Sequence, residues 1–186
     1  MNIELYIKVD SIEAETREFN GYQYRHAKAS VSGNESERFD ILFPVETVPA
    51  AGKVIKVVNC KLVRINYESE TIDVAVRVDK YEEAEDGVKA SKHLTIPIIG
   101  MIIRSSNAKI TLYGPDKVKF LMVSLQMKDA DKRPFMLPII GFNNKAVLLD
   151  TFKNTQIVTG FVTLKHKKQG AGYELALVSA ELYSEY

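Results

Sequence analysis

PFMLPIIGFNNKAVLLDTFKNTQIVTGFVTLKH, residues 134–166, is the stretch that decides the fold. Its opening, Pro134 to Ile140, is apolar and reads as a strand. Between Asn143 and Lys153 the two-residue alternation breaks. Ala146, Leu149 and Phe152 there fall on one helical face, with Asn143 or Asn144 placed to cap a short helix. From Gln156 to His166 the alternation returns as a long strand. Strand, short helix, strand is the unit from which the rest is read.

Its neighbours in the same half are also strands. Ile96 to Ser105 is one, continued or repeated by Lys109 to Tyr113. Gly114-Pro115-Asp116 turns the chain into Lys119 to Lys128, and Asp129 to Lys132 is a polar turn before Pro134. Lys167 to Gly172 turns the chain again, and Tyr173 to Leu182 closes. The letters PIIG occur at 97–100 and again at 138–141, on different elements. Gly100 falls mid-strand, where a strand bends to serve two sheets, and Gly141 leads into the helix.

The first half carries five strands of its own: Asn2 to Lys8, Tyr22 to Val31 after an Asn20-Gly21 hairpin signal, Arg38 to Phe43, Lys53 to Tyr67 and Thr71 to Tyr81. The pattern from Gly52 to Tyr81 overlies that from Asn154 to Tyr183: long strand, polar turn, strand, with few identities. EEAEDGVKASK, residues 82–92, is polar and without apolar period, and reads as a linker. The expected domains are therefore 1–81 and 93–186.

Charge separates the two halves. Residues 1–90 hold 12 Lys and Arg against 17 Asp and Glu, a net −5; residues 91–186 hold 13 against 7, a net +6. The basic half can attract a polyanion; the acidic half repels one or meets a basic partner. The chain has no apolar run long enough for a membrane helix, and its N-terminus does not read as a signal peptide. The lone Cys60 excludes a disulfide framework and reads as a small buried residue in a cytoplasmic protein. His26, His93 and His166 lack metal-ligand spacing, and neither a Walker loop nor a nucleophile elbow occurs. No enzyme, cofactor or metal is expected.

Five strands with a helix between the third and fourth is the order of an OB barrel. The expected class is all-β: two tandem OB-fold five-stranded barrels, the second with the helix. A small β-sandwich needs about seven strands, and each half offers five; a different Greek-key barrel is the other alternative.

The second half also resembles a family. PIIGMIIRSSN (97–107), the stretch 133–167 and GYELALVSAEL (172–182) look like the bacterial single-stranded DNA-binding protein domain. The matching features are Gly100, Ile140-Gly141, the helix, Val158-Thr-Gly-Phe-Val162, a basic hairpin and the last strand. The resemblance spans 97–182. It implies binding of single-stranded DNA, pairing with other copies of the chain and contact with replication proteins in a bacterial host cell. Three departures point to a divergent version of the kind phages and plasmids carry. Ile140 stands where that family often has a stacking aromatic, the chain has no Trp, and an acidic tail is missing after SAELYSEY.

Binding of an unpaired strand needs cations for phosphates and aromatic faces for bases. Lys165, Lys167 and Lys168 flank one hairpin, and Lys128, Lys132 and Arg133 another. By strand parity Phe161 points outward with Lys165, and Phe120 outward with Met122, Ser124, Gln126 and Lys128. Phe135 and Tyr173 are further stacking candidates, while Tyr113 reads as cover for the barrel end. These lysines also fit a merely solvated surface, and the rings fit packing. In the acidic half YQYRHAK, residues 22–28, reads as a local patch or a contact surface. Two functions follow. One is a protein coating single-stranded DNA, or RNA, in replication or recombination. The other is an interaction module in a replication complex or phage particle.

Overall fold

In a computed structural model that describes residues 3–19, 21–129 and 131–184, the chain forms eleven strands, a 3-10 turn and one α-helix. Asn2, Asn20 and Ala130, which the sequence places in a strand and two turns, lie outside the described residues. The strands form two closed five-stranded barrels.

The first barrel comprises β1 (Leu5–Phe19), β2 (Tyr22–Val31), β3 (Asn34–Pro44), β4 (Val54–Ile65) and β5 (Asp73–Glu83), in the order β1-β2-β3-β5-β4. β1 is long because it serves two partners. Leu5 to Lys8 pairs with β4, and Lys8 to Phe19 pairs with β2. Irregularities between Val9 and Ser11 and between Ile12 and Thr16 give it the curl that closure requires. β3 and β5 run parallel, with Ile41 opposite Val76, in an otherwise antiparallel wall. Ile7, Val9, Ile41, Phe43, Ile55, Val63, Val76 and Val78 fill the interior. Each such side chain contributes about 1.5–3 kcal/mol on burial. Cys60 is buried too, and burial pushes its thiol up to about 12, so it is inert as a nucleophile at neutral pH.

The second barrel comprises β6 (Thr95–Ile103), β8 (Val118–Lys128), β9 (Pro134–Phe142), β10 (Ile157–His166) and β11 (Tyr173–Leu182). A short strand, β7 (Thr111–Tyr113), adds to β8 as a hairpin. The order is β6-β10-β11-β9-β8-β7, and β6–β8 pairing at Met101–Ile103 closes the ring. β9 and β11 are the parallel pair, with Ile139 opposite Leu175. Alternation along β8 is complete: Leu121, Val123, Leu125 and Met127 point inward. Gly100 earns its place by close approach to β8. A Cβ there would stand 2.8 Å from the Gln126 carbonyl oxygen and 2.9 Å from Leu125 Cγ.

The helix, α1 (Asn144–Asp150), lies between β9 and β10. Ala146 and Leu149, with Phe152 just beyond, face the core as their spacing predicts. The cap differs from expectation. Asn143 occupies the N-cap with φ 52° and makes no side-chain cap bond; its carbonyl instead accepts from Val147 N–H at 3.2 Å. The other end is held by Arg104, whose guanidinium donates to Phe152 O (3.0 Å), Ala108 O (2.8 Å), Asp150 O (3.3 Å) and Asp150 Oδ1 (3.0 Å). The bonds to Asp150 O and Phe152 O satisfy carbonyls at the helix C-terminal end, and the one to Ala108 O ties in the loop before β7.

By contacts the chain divides into 1–65 with 74–96, and 66–73 with 97–186. The polar stretch 82–92, read as a linker, therefore groups with the first unit. β5 runs on to Glu83, and Ala84 N–H bonds Val54 O at 3.2 Å. Ser91 is fixed by Tyr6 O (2.8 Å) and Ser32 N–H (2.8 Å), and Lys92 O accepts Gly33 N–H at 2.9 Å. Backbone groups against a sheet edge are held by hydrogen bonds whatever their side-chain composition, so polarity alone does not mark a free linker.

Candidate nucleic-acid interface

The outward face of the β7-β8-β9 sheet exposes a set of large apolar side chains. Register sets its rows: Phe120 beside Phe142, Met122 beside Ile140, Ser124 beside Pro138, Gln126 beside Met136, Lys128 beside Pro134. Tyr113 on β7, opposite Val118 and on the same face, leans toward the first row. Its ring centroid lies 6.1 Å from that of Phe120, which lies 5.3 Å from Phe142. Tyr113 is 66% exposed, Met122 53%, Met136 46% and Phe142 41%. These rows bear no carboxylate. At about 3.4 Å per residue, the face runs ~27 Å from Phe120 to Lys128.

Cations stand at both ends. Exposed Lys119 and Lys145 neighbour the aromatic row in the chain, and Lys119 O accepts Asn143 N–H at 2.9 Å, tying the β8 start to the helix entry. Lys128 ends the face. Beyond it the β8–β9 turn carries exposed Lys132 and Arg133. Asp129 shapes that turn: its Oδ1 accepts N–H from Asp131 (2.9 Å) and Arg133 (2.8 Å), an Asx-type closure. Asp129 is buried, although the sequence shows it only as part of a polar turn. Because β11 runs parallel to β9, the β10–β11 turn with Lys167 and Lys168 emerges at the same barrel end. Lys165, at the end of β10, is exposed as well.

The predicted residues are thus only partly gathered. Lys128, Lys132 and Arg133 gather at one end of the face, with Lys167 and Lys168 at the same barrel end, and Phe120 stands at the other end of the same face. Phe161 is half-buried on β10, opposite Ser179 and next to a register shift. Round the ring β10 is separated from β8 by β6 on one side and by β11 and β9 on the other, so Phe161 and Phe120 lie on different walls. Phe135 and Tyr173 are corrected as stacking faces. Phe135, 3% exposed, falls on the inward parity of β9 with Leu137 and Ile139. Tyr173, 6% exposed, packs its ring 4.6 Å from that of His166. Phe142 is the aromatic the sequence reading passed over, and Tyr113, read there as cover for the barrel end, is exposed. The signal for Phe142 was parity: Ile140 is itself buried, and the exposed ring comes two residues later.

In the first unit the corresponding β2–β3 face is filled by its own pairs. On it, His26 Nε2 and Lys28 Nζ both meet Asp40 Oδ1 at 2.5 Å, and Glu13 Oε2 stands 3.5 Å from His26 Nδ1. Arg77 on β5 pairs with Asp79 at 2.9 Å. Burial raises the Asp40 carboxyl, but the hydrogen bonds and charges of His26 and Lys28 outweigh it and hold it below the ordinary range. The YQYRHAK patch is therefore largely spent on internal pairing.

Among the described residues no group of three or more His, Cys, Asp or Glu is placed to hold a metal ion. No helix of the described residues is long and apolar enough to cross a membrane.

No protein-family model matches the sequence, and no curated protein matches it. Solved structures do match. The wild-type single-stranded DNA binding protein from Thermus aquaticus superposes with a TM-score of 0.67 at 12% identity, over 98% of this chain and 93% of that one. A deletion variant of that protein gives 0.65 at 12% identity, over 98% and 94%. Likeness over nearly the whole of both chains, at so low an identity, is a likeness of fold: this chain shares the tandem OB-barrel architecture of the Thermus aquaticus protein.

Proposed function

We propose that this chain binds single-stranded DNA through the β7-β8-β9 face of its second unit and coats exposed strands during replication or recombination. The observation that carries the reading is the row Tyr113–Phe120–Phe142, continued by exposed Met122 and Met136 to Lys128 at the end of the face. Rings and thioethers offer flat or pliable apolar contact to any base, and base stacking contributes about 1–3 kcal/mol per base. The lysines follow the phosphates, and each neutralised phosphate releases counterions. Every base has a flat face to stack, so binding through the aromatic row entails tolerance of sequence. The chain acts by occupancy: covered strands neither reanneal nor meet nucleases. The fold shared with the Thermus aquaticus protein supports the reading. A phage or plasmid setting rests on the resemblance over 97–182, with Ile140 where that family often has a stacking aromatic.

Titration of labelled oligonucleotides of graded length at two salt concentrations tests this. The reading requires affinity that rises with length, falls with salt and exceeds that for a duplex. RNA oligomers form a further arm, because a 2′-hydroxyl contact decides between the two sugars. Absence of binding at low salt would sink the proposal and leave the assembly-module reading.

A further inference from the structure

Residues 66–73, NYESETID, join β4 to β5 in the chain yet group with the second unit. The Arg133 guanidinium carbon lies over the Tyr67 ring, 5.0 Å from its centroid. Thr71 reaches the other basic turn: a Cβ built on Gly172 would stand 3.4 Å from Thr71 Cγ2. The segment thus touches both the β8–β9 and the β10–β11 turn, which carry Lys132, Arg133, Lys167 and Lys168. It is a shaped strap. Asn66, at φ 57°, donates from Nδ2 to Asp73 Oδ2 at 3.3 Å, and Thr71 N–H donates to Ser69 Oγ at 3.2 Å. Glu68, Glu70 and Asp73 give it three carboxylates, and it has no Lys or Arg.

We infer that this strap is a built-in competitor for the nucleic-acid strand at the basic end of the binding face; the inference rests on the proposed function and adds its regulation. A nucleotide brings a flat ring and a negative charge. The strap brings Tyr67 to Arg133, and carboxylates to the barrel end where the lysines gather. The face of Arg133 under Tyr67 is withheld from a base. Tyr67 as an extension of the binding path is disfavoured by charge, because a polyanion crossing Tyr67 would pass the exposed Glu68 and Glu70. Phosphates arriving at the turns displace the strap, and departing phosphates let it return. Salt weakens both the strap and its rival, since both attractions are screened over a Debye length of about 10 Å at 0.1 M.

The test titrates an oligothymidylate against wild type, Tyr67→Ala and the double variant Glu68→Gln/Glu70→Gln at low salt. A cation–π contact of about 0.5–1 kcal/mol predicts binding about two- to fivefold tighter for Tyr67→Ala. The double variant should tighten in the same direction, with a gain that shrinks as salt rises. Equal or weaker binding by both variants, with wild type binding normally, overturns the strap and leaves the binding face standing. No binding by any of the three overturns the proposed function and the strap together. A measurement without ligand separates the contact from its consequence: amide exchange in 66–73 should quicken in Arg133→Ala. Unchanged exchange there overturns the inference.

Discussion

Replacing Phe142 with alanine isolates the aromatic row. Phe142 ends β9, and its ring is 41% exposed and 5.3 Å from Phe120. Truncation removes one stacking surface, about 1–3 kcal/mol, which is a rise in Kd of about 5- to 160-fold. The cost to the fold is smaller. An aromatic pair contributes about 0.5–1.5 kcal/mol beyond its area, against a total stability of about 5–15 kcal/mol. The barrel therefore persists, which far-ultraviolet circular dichroism checks. Fluorescence anisotropy with a labelled oligothymidylate at fixed salt reads the affinity. Phe142→Trp keeps a ring and should stay near wild type. Phe161→Ala supplies the contrast. Phe161 is half-buried and on the far side of β6 from the row, so its loss should change Kd less than twofold. The reasoning is refuted if Phe142→Ala binds within twofold of wild type, or if Phe161→Ala loses more.

Alanine at Lys165, Lys167 and Lys168 together should weaken binding across all sequences and lower the salt slope by about 2, at roughly 0.7 per phosphate contact; an unchanged slope in the same titrations removes these lysines from the path. Arg104→Ala should cost about 2–4 kcal/mol, because it strips charge-assisted bonds from Phe152 O, Ala108 O and Asp150. Urea unfolding of the full chain measures this, and a loss under 0.5 kcal/mol denies Arg104 its part in holding the helix end. Asp40 has a folded-state pKa below its ordinary 3.8, so its stabilisation is full above that value and is lost as pH falls through the folded one. Asp40→Asn should then be less stable than wild type at pH 6, with the gap closing below about pH 3.8; a gap independent of pH contradicts the assignment.

Strands and helix were legible because their signals are local. Leu121, Val123, Leu125 and Met127 alternate with outward residues, and Ala146, Leu149 and Phe152 share a helical face. Position round a closed ring is another matter. Phe120 and Phe161 both read as outward rings near lysines, but the five-strand order that sets them on different walls arises from long-range pairing. Parity also fails to say what covers an outward residue. Tyr24 and His26 take the outward parity of β2 and are nonetheless buried. The strap at 66–73 was illegible for the same reason. It sits between β4 and β5 in the chain, and no composition cue shows that it groups with 97–186. Arg104 left no pattern at all, since its partners lie 4 to 48 residues away.

Ultraviolet cross-linking of a bound oligothymidylate, mapped to single residues by mass spectrometry, bears most directly on the binding face. The account predicts adducts concentrated at Tyr113, Phe120, Met122 and Phe142. Adducts confined to residues 3–65, or to the β6 and β10 wall around Phe161, would contradict it.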